Sequence, residues 1–191
     1  MNTGLQDVWN LVWKLGLAVR GRGSQQLLDS YSAERCPVIK GVIHTTHRLT
    51  RAMGTASKLA QAVRNTVIPV MSRTSTFKKR FVQSLSGLGI SYAGSPIIEG
   101  SGNRFWDGSL RGGKGIESRF LLLLGDDARP AAKKATGQFC ESFADLVELR
   151  YIPRPGLTLV RPDGYIAYQG AMRNAAAVLE SMRSFLKRQT T

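Results

Sequence analysis

The sequence predicts an α/β protein, in the α+β sense, with helices through its first half and a small mixed β-sheet layer through its second. Three observations carry that reading. Apolar residues recur at three- and four-residue steps over much of the first 85 positions. Arg119 to Leu124 is a compact apolar run bounded by polar residues, the profile of a buried strand. Arg161-Pro162-Asp163-Gly164 sits between two short apolar runs as a strong hairpin turn.

Taken in order, Thr3 to Arg20 reads as a helix. Asn2 or Thr3 can cap it, and Leu5, Val8, Leu11, Val12, Leu15 and Val19 form one apolar face. Gly21 and Gly23 end it, because glycine enters the left-handed region without a Cβ penalty. Ser24 can cap a second helix whose apolar face is Leu27, Leu28, Tyr31, Val38, Val42 and Ile43, with a bend expected at Pro37. Further helices are expected over 56–67 and 75–85, before Ser86-Gly87-Leu88-Gly89 breaks the pattern. Ile90–Tyr92 and Pro96–Ile98 look like short β pieces, followed by a glycine-rich loop over 100–115. After the strand at 119–124, Pro130 to Leu146 is helical in composition and Val147 to Ile152 reads as a strand. Leu157–Val160 and Tyr165–Tyr168 make the hairpin. Ala171 to Lys187 closes the chain as a helix, with Ala175, Val178, Leu179, Met182 and Leu186 on one side.

Strand, helix, strand, hairpin, helix from residue 119 onward is the bare thioredoxin-like plan. A redox member would carry Cys-x-x-Cys where the first helix begins. Here the residues are Gly125-Asp126-Asp127-Ala128, so dithiol chemistry is excluded. The two cysteines, Cys36 and Cys140, lie far apart and are expected to be reduced and mostly buried. His44 and His47 stand three apart with no other ligand type near them in sequence, and no metal site is expected.

The net charge is +14, from 27 Lys and Arg against 13 Asp and Glu. It is concentrated: no acidic residue lies between Glu34 and Glu99, an interval holding Arg35, Lys40, Arg48, Arg51 and five further basic side chains up to Lys79, then Arg80. Phe77, Phe81 and Tyr92 are the only Phe, Tyr or Trp residues over that interval, so stacking on bases is poorly supported and nucleic acid is not expected as a partner. No apolar run reaches the roughly 18–20 residues of a membrane span. With no leader in front of an apolar stretch, the cytoplasm is the expected location.

The segment from Met1 through Leu15 (Met1-Asn2-Thr3-Gly4-Leu5-Gln6-Asp7, then Asn10, Leu11, Trp13, Lys14, Leu15) resembles a motif of the class A flavoprotein monooxygenases. That family pattern is Gly-x-Gly-Met-Asn-Thr-Gly-x-Gln-Asp-Ala-x-Asn-Leu-x-Trp-Lys-Leu, and the likeness is greatest to the phenol hydroxylase-like branch. The family's Leu-Leu-Asp-Ser-Tyr-x-x-Glu-Arg-x-Pro stands here as Leu27, Leu28, Asp29, Ser30, Tyr31, Glu34, Arg35 and Pro37. At the far end, Arg161-Pro162-Asp163-Gly164-Tyr165 is similar to the hairpin that closes that branch's thioredoxin-like domain, and 102–107 is an imperfect version of the loop that enters it.

The resemblance implies a division at about residue 88. Residues 1–88 would be C-terminal helices of an FAD-binding monooxygenase domain, and residues 89–191 a thioredoxin-like domain without redox cysteines. It implies FAD as cofactor, NAD(P)H as co-substrate and an aromatic or phenolic substrate. It also implies that the amides of Met1, Asn2 and Thr3 face the flavin O2 and N1 edge, with Gly4 allowing close approach. No catalytic side chain is assigned by motif, and Gln6 and Asp7 are expected to bridge or cap helices. Neither Gly-x-G-x-x-Gly after a strand nor the family's Gly-Asp segment is present, and Gly112-Gly113-Lys114-Gly115 lacks phosphate-loop spacing. The expectation is a C-terminal portion that is inactive alone and self-associates through faces normally covered, such as Leu27, Tyr31 and Val38 of the second helix, which are expected to be exposed. A non-catalytic thioredoxin-like interaction or dimerisation module is the alternative.

Overall fold

The structure is a computed structural model that describes residues 2–54, 61–62, 65–66, 73–76, 78, 87, 89–105, 107, 112–114, 117–171 and 175–190. Helix α1 spans Asn2–Val19. It ends where Gly21 takes φ +66°, its N–H bonding back to the Ala18 carbonyl while that of Arg22 reaches Leu17. Ser24 then caps α2, its hydroxyl accepting from the Leu27 N–H at 3.2 Å, and α2 spans Gln25–Met53 with Pro37 inside it. The helices expected over 56–67 and 75–85 fall largely outside the described residues. Ile90–Tyr92 is irregular backbone and Pro96–Ile98 lies at a turn, neither forming a strand, although Tyr92, Ile97 and Ile98 are buried.

The second half contains β1 (Gly112–Lys114), β2 (Glu117–Gly125), α3 (Pro130–Ser142), β3 (Val147–Ile152), β4 (Leu157–Val160), β5 (Ile166–Gly170) and α4 (Ala175–Gln189). The sheet order is β3-β2-β4-β5. β3 pairs parallel with β2, while β4 and β5 run antiparallel, and β1 folds back on the start of β2. The architecture is α/β, and every strand expected after residue 118 is present. Gly164, at φ +84°, makes the β4–β5 turn possible.

β2 is buried on both faces, which is why it reads as an unbroken run of leucines. Phe120, Leu122 and Leu124 point to the main core with Phe139 of α3 and Leu179, Met182, Phe185 and Leu186 of α4. Trp13 and Leu17 of α1 and Leu27 of α2 belong to that same core, Trp13 meeting Phe120 edge-on at 5.6 Å between centroids. On the opposite face Leu121, Leu123 and Val160 pack with Phe105 and Ile152.

One finding goes beyond the sequence reading and one expectation is corrected here. α1 does not bury the apolar stripe that its periodicity marks. Leu5 is 64% exposed and Val19 87%, with Val8, Val12 and Leu15 also exposed, whereas Asn10, Trp13, Lys14 and Leu17 turn inward. Cys36 is exposed rather than buried, and Cys140 is half-buried; both are free.

Candidate functional site

Where α1, α2 and the β4–β5 turn converge, the core becomes polar. Glu34 of α2 is its centre, with both carboxylate oxygens engaged. Oε1 accepts from Arg161 Nη1 at 2.5 Å and Ser95 Oγ at 2.5 Å. Oε2 accepts from Asn10 Nδ2 at 2.6 Å, Lys14 Nζ at 3.0 Å and Arg161 Nη2 at 3.0 Å. Lys14 also donates to Ser30 Oγ at 2.8 Å. Asp163 takes the other side of the Arg161 guanidinium, Nε donating to Oδ1 at 3.0 Å and Nη2 to Oδ2. Both side chains of the Lys14–Glu34, Glu34–Arg161 and Arg161–Asp163 pairs are fully buried. Two cations against two carboxylates leave the cluster neutral, the condition for burying charge at tolerable cost.

The protonation equilibria reflect that setting. Burial pushes Glu34 up, but the charge and hydrogen bonds of Arg161, with Lys14, outweigh it and bring the carboxyl down to about 2. Burial, helped by the neighbouring Arg161 charge, brings the Lys14 ammonium down to about 8 despite Glu34. The guanidinium of Arg161 lies over the rings of Trp13 (5.1 Å), Tyr92 (5.5 Å) and Tyr165 (5.9 Å). Burial lowers its affinity for the proton, and Asp163 and Glu34 more than restore it.

A second, smaller knot anchors the start of α1. Buried Arg35 donates through Nε to Asp7 Oδ1 at 2.6 Å, through Nη1 to the Tyr92 hydroxyl at 2.9 Å and through Nη2 to the Thr3 carbonyl at 3.3 Å. Asp7 thus bridges α1 to α2, as expected of it. The first turn of α1 has no acidic residue, Thr3 is half-buried, and Gly4 is exposed with nothing within 4 Å of where a Cβ would stand. Asn2 opens the helix; Met1 lies outside the described residues. The turn is therefore open to an outside group at Gly4, at the positive end of the helix dipole.

Sequence reasoning missed the buried network. Asn10 and Lys14 were in view only as parts of the opening segment, Ser30 and Glu34 of the Leu-Leu-Asp-Ser-Tyr segment, and Arg161 and Asp163 of the Arg-Pro-Asp-Gly-Tyr turn, while Ser95 stood in none of them; Glu34 meets Arg161 across 127 positions. The signal available was a charged residue placed on the inward side of each helix. His44 and His47 are exposed on α2, and among the described residues no group of three or more potential ligands could hold a metal.

A family model described as an FAD binding domain matches residues 1–46. The 6-methylpretetramide 4-monooxygenase of Streptomyces rimosus is 29% identical over 89% of this chain and 38% of its own length. A 12-dehydrotetracycline 5-monooxygenase/anhydrotetracycline 6-monooxygenase from the same species is 32% identical over 90% of this chain and 36% of its own. This chain is related to the C-terminal part of the class A FAD-dependent aromatic monooxygenases. The solved OxyS anhydrotetracycline hydroxylase of Streptomyces rimosus superposes on 98% of this monooxygenase-related chain and 40% of its own, with a TM-score of 0.72 at 25% identity. The chain spans between 36% and 40% of the length of these three relatives. In the monooxygenase family FAD is the cofactor and NAD(P)H the co-substrate. Among the described residues no helix is long and apolar enough to cross a membrane.

Proposed function

We propose that this chain forms the C-terminal wall of an FAD- and NAD(P)H-dependent hydroxylase of aromatic or phenolic compounds in the cytoplasm, with the nucleotide-binding part supplied by sequence it does not contain. The observation that carries the reading is the presentation of α1. Its polar side is locked into the chain's own core, while its apolar stripe and its first turn are left open.

The amides of Met1, Asn2 and Thr3 would hold the pyrimidine edge of the flavin, where negative charge gathers on reduction, and Gly4 would let that edge approach the backbone. When bound, FAD supplies electron transfer from NAD(P)H and activation of O2 for ring hydroxylation. Arg35 fixes the Thr3 carbonyl and Asp7, so the turn keeps one orientation. The buried ionic cluster then holds α1 against α2 and the β4–β5 turn. The stripe from Leu5 to Val19 would exclude water by packing on the nucleotide-binding part.

Under this reading residues 1–88 are the last helices of a flavin domain and 89–191 a thioredoxin-like module, whose β3-β2-β4-β5 order supports that description. The purified chain is expected to be colourless, because one helix end supplies few of the contacts FAD needs. Co-expression with the N-terminal nucleotide-binding part of a relative is expected to yield a yellow complex with bound-flavin absorbance. Stoichiometric flavin on the chain alone would refute the incomplete-site reading, and a colourless, unassociated pair would refute the flavin role.

The second reading, a non-catalytic thioredoxin-like interaction module, draws on Gly125-Asp126-Asp127-Ala128 at the head of α3. The thiol of α3 itself, Cys140, is pushed up by burial to about 11 and is no nucleophile at neutral pH. Binding of partners with no flavin present would favour it.

A further inference from the structure

Beside the ionic cluster, where α1 crosses the start of β5, lies a cavity of about 260 Å³. An apolar cavity of about 150 Å³ accommodates one benzene ring, so this one has room for a substituted ring or a fused pair. Three of its walls are aromatic: Trp9, Tyr92 and Tyr165. The rings of Tyr92 and Tyr165 stand 4.4 Å apart between centroids, and Trp9 is fixed by its ring N–H, which donates to the Asp163 carbonyl at 3.2 Å. Flat, pre-positioned walls of this kind select a flat ligand.

Two polar features remain unspent. Asn10 is buried and lines the cavity, and its amide orientation is dictated by two carboxylates, since Nδ2 donates to Glu34 and, at 3.4 Å, to Asp163. That leaves Oδ1 as a buried acceptor with no hydrogen-bond partner. A buried orphan acceptor costs free energy that a donor from a ligand would recover.

The second feature is Arg104, half-exposed among the lining residues, with its guanidinium 6.0 Å from the Tyr165 ring. Its backbone is not a loose loop. Arg104 bridges to Tyr165, Phe105 N–H bonds to the Gly164 carbonyl at 2.8 Å, and Ile166 N–H to the Asn103 carbonyl at 2.9 Å. Among the described residues no carboxylate pairs with it. Asp163, which also lines the cavity, is neutralised by Arg161, and Lys14 by Glu34, so among the described lining residues Arg104 is the charge without an opposite partner.

We infer that this cavity is a binding site for a small planar aromatic anion, whose ring lies among Trp9, Tyr92 and Tyr165. A ring N–H or O–H of the ligand donates to Asn10 Oδ1, and its carboxylate meets Arg104. The inference does not depend on flavin, and it can be tested on the 191-residue chain as it stands.

Three probes separate the contacts. Indole-3-carboxylate has both donor and anion, 1-benzofuran-3-carboxylate lacks the donor, and indole lacks the anion. Affinity is measured by calorimetry, and the site is located by the NMR signal of the Trp9 ring N–H. Indole-3-carboxylate is expected to shift that signal and to bind about tenfold more tightly than either analogue, one lost contact corresponding to roughly a decade in affinity. Arg104→Gln, which leaves the ionic cluster untouched, is expected to bring indole-3-carboxylate down to the affinity of indole while indole itself is unaffected. Equal binding of all three probes, a carboxylate preference that survives Arg104→Gln, or a Trp9 signal unmoved at millimolar ligand would each overturn the assignment.

Discussion

Glu34 is the residue on which most of this structure turns. Five donors converge on its two oxygens, and with the side chain gone Arg161 and Lys14 would face each other in a buried site. Replacing it by glutamine keeps the shape and removes the charge. Breaking a buried pair from one side costs about 3–5 kcal/mol, so Glu34→Gln is expected to lower urea-measured stability by that order. The pH dependence follows from the same contacts. A carboxyl at about 2 in the folded chain against an ordinary 4.5 contributes stability that is fully present above 4.5 and is lost as pH falls toward 2. Lys14 works in the opposite sense. Its folded value of about 8 lies below the ordinary 10.5, so between those values the unfolded chain binds more protons and stability rises with pH. Denaturation midpoints measured across both windows are expected to show the acid slope reduced in Glu34→Gln and the alkaline rise absent in Lys14→Met.

At the scale of the element, α1 is amphipathic in an unusual sense: the chain's own core takes the side carrying Asn10, Trp13 and Lys14 and leaves Leu5, Val8, Val12, Leu15 and Val19 in water. A continuous apolar stripe of that length is a site of association. The isolated chain is expected to self-associate in sedimentation velocity and to bind a hydrophobic dye. Val12→Glu with Leu15→Glu, both at exposed positions, is expected to abolish both properties while leaving the far-UV circular dichroism unchanged. The α1–α2 joint gives a smaller test. Gly21 sits at φ +66°, and Gly21→Ala is expected to cost on the order of 1 kcal/mol in the same urea assay, by left-handed strain alone, since a Cβ there meets nothing within 4 Å.

For the whole molecule, legibility differed sharply between elements and site. β2, β3, the Arg161–Gly164 turn and α4 could be read from local pattern, because a strand buried on both faces or a turn glycine leaves its mark on neighbouring residues. The apolar face of α1 could be read too, but not what it faces: periodicity locates a stripe and says nothing about which side meets the core. Leu27 illustrates the same limit on α2, since its expected exposure gives way to complete burial against β2 and α4. The short pieces at 90–92 and 96–98 failed as strands because Tyr92 and Ile98 pack with Tyr165 beside Val38, and Ile97 packs in the main core, from irregular and turn backbone that belongs to no strand.

The sequence by itself determined the element order of the second half, the Gly125-Asp126-Asp127-Ala128 that stands ahead of α3 in place of Cys-x-x-Cys, and the flavoprotein-like opening, all of which are written in contiguous residues. Tertiary structure alone decided that α1 turns its charged side inward, that Glu34 and Arg161 share one buried site, and that three aromatic rings and Arg104 line a cavity. The physical reason is distance along the chain. A buried ion pair becomes stable only when partners 127 positions apart arrive together and neutralise one another, and no local propensity records that meeting.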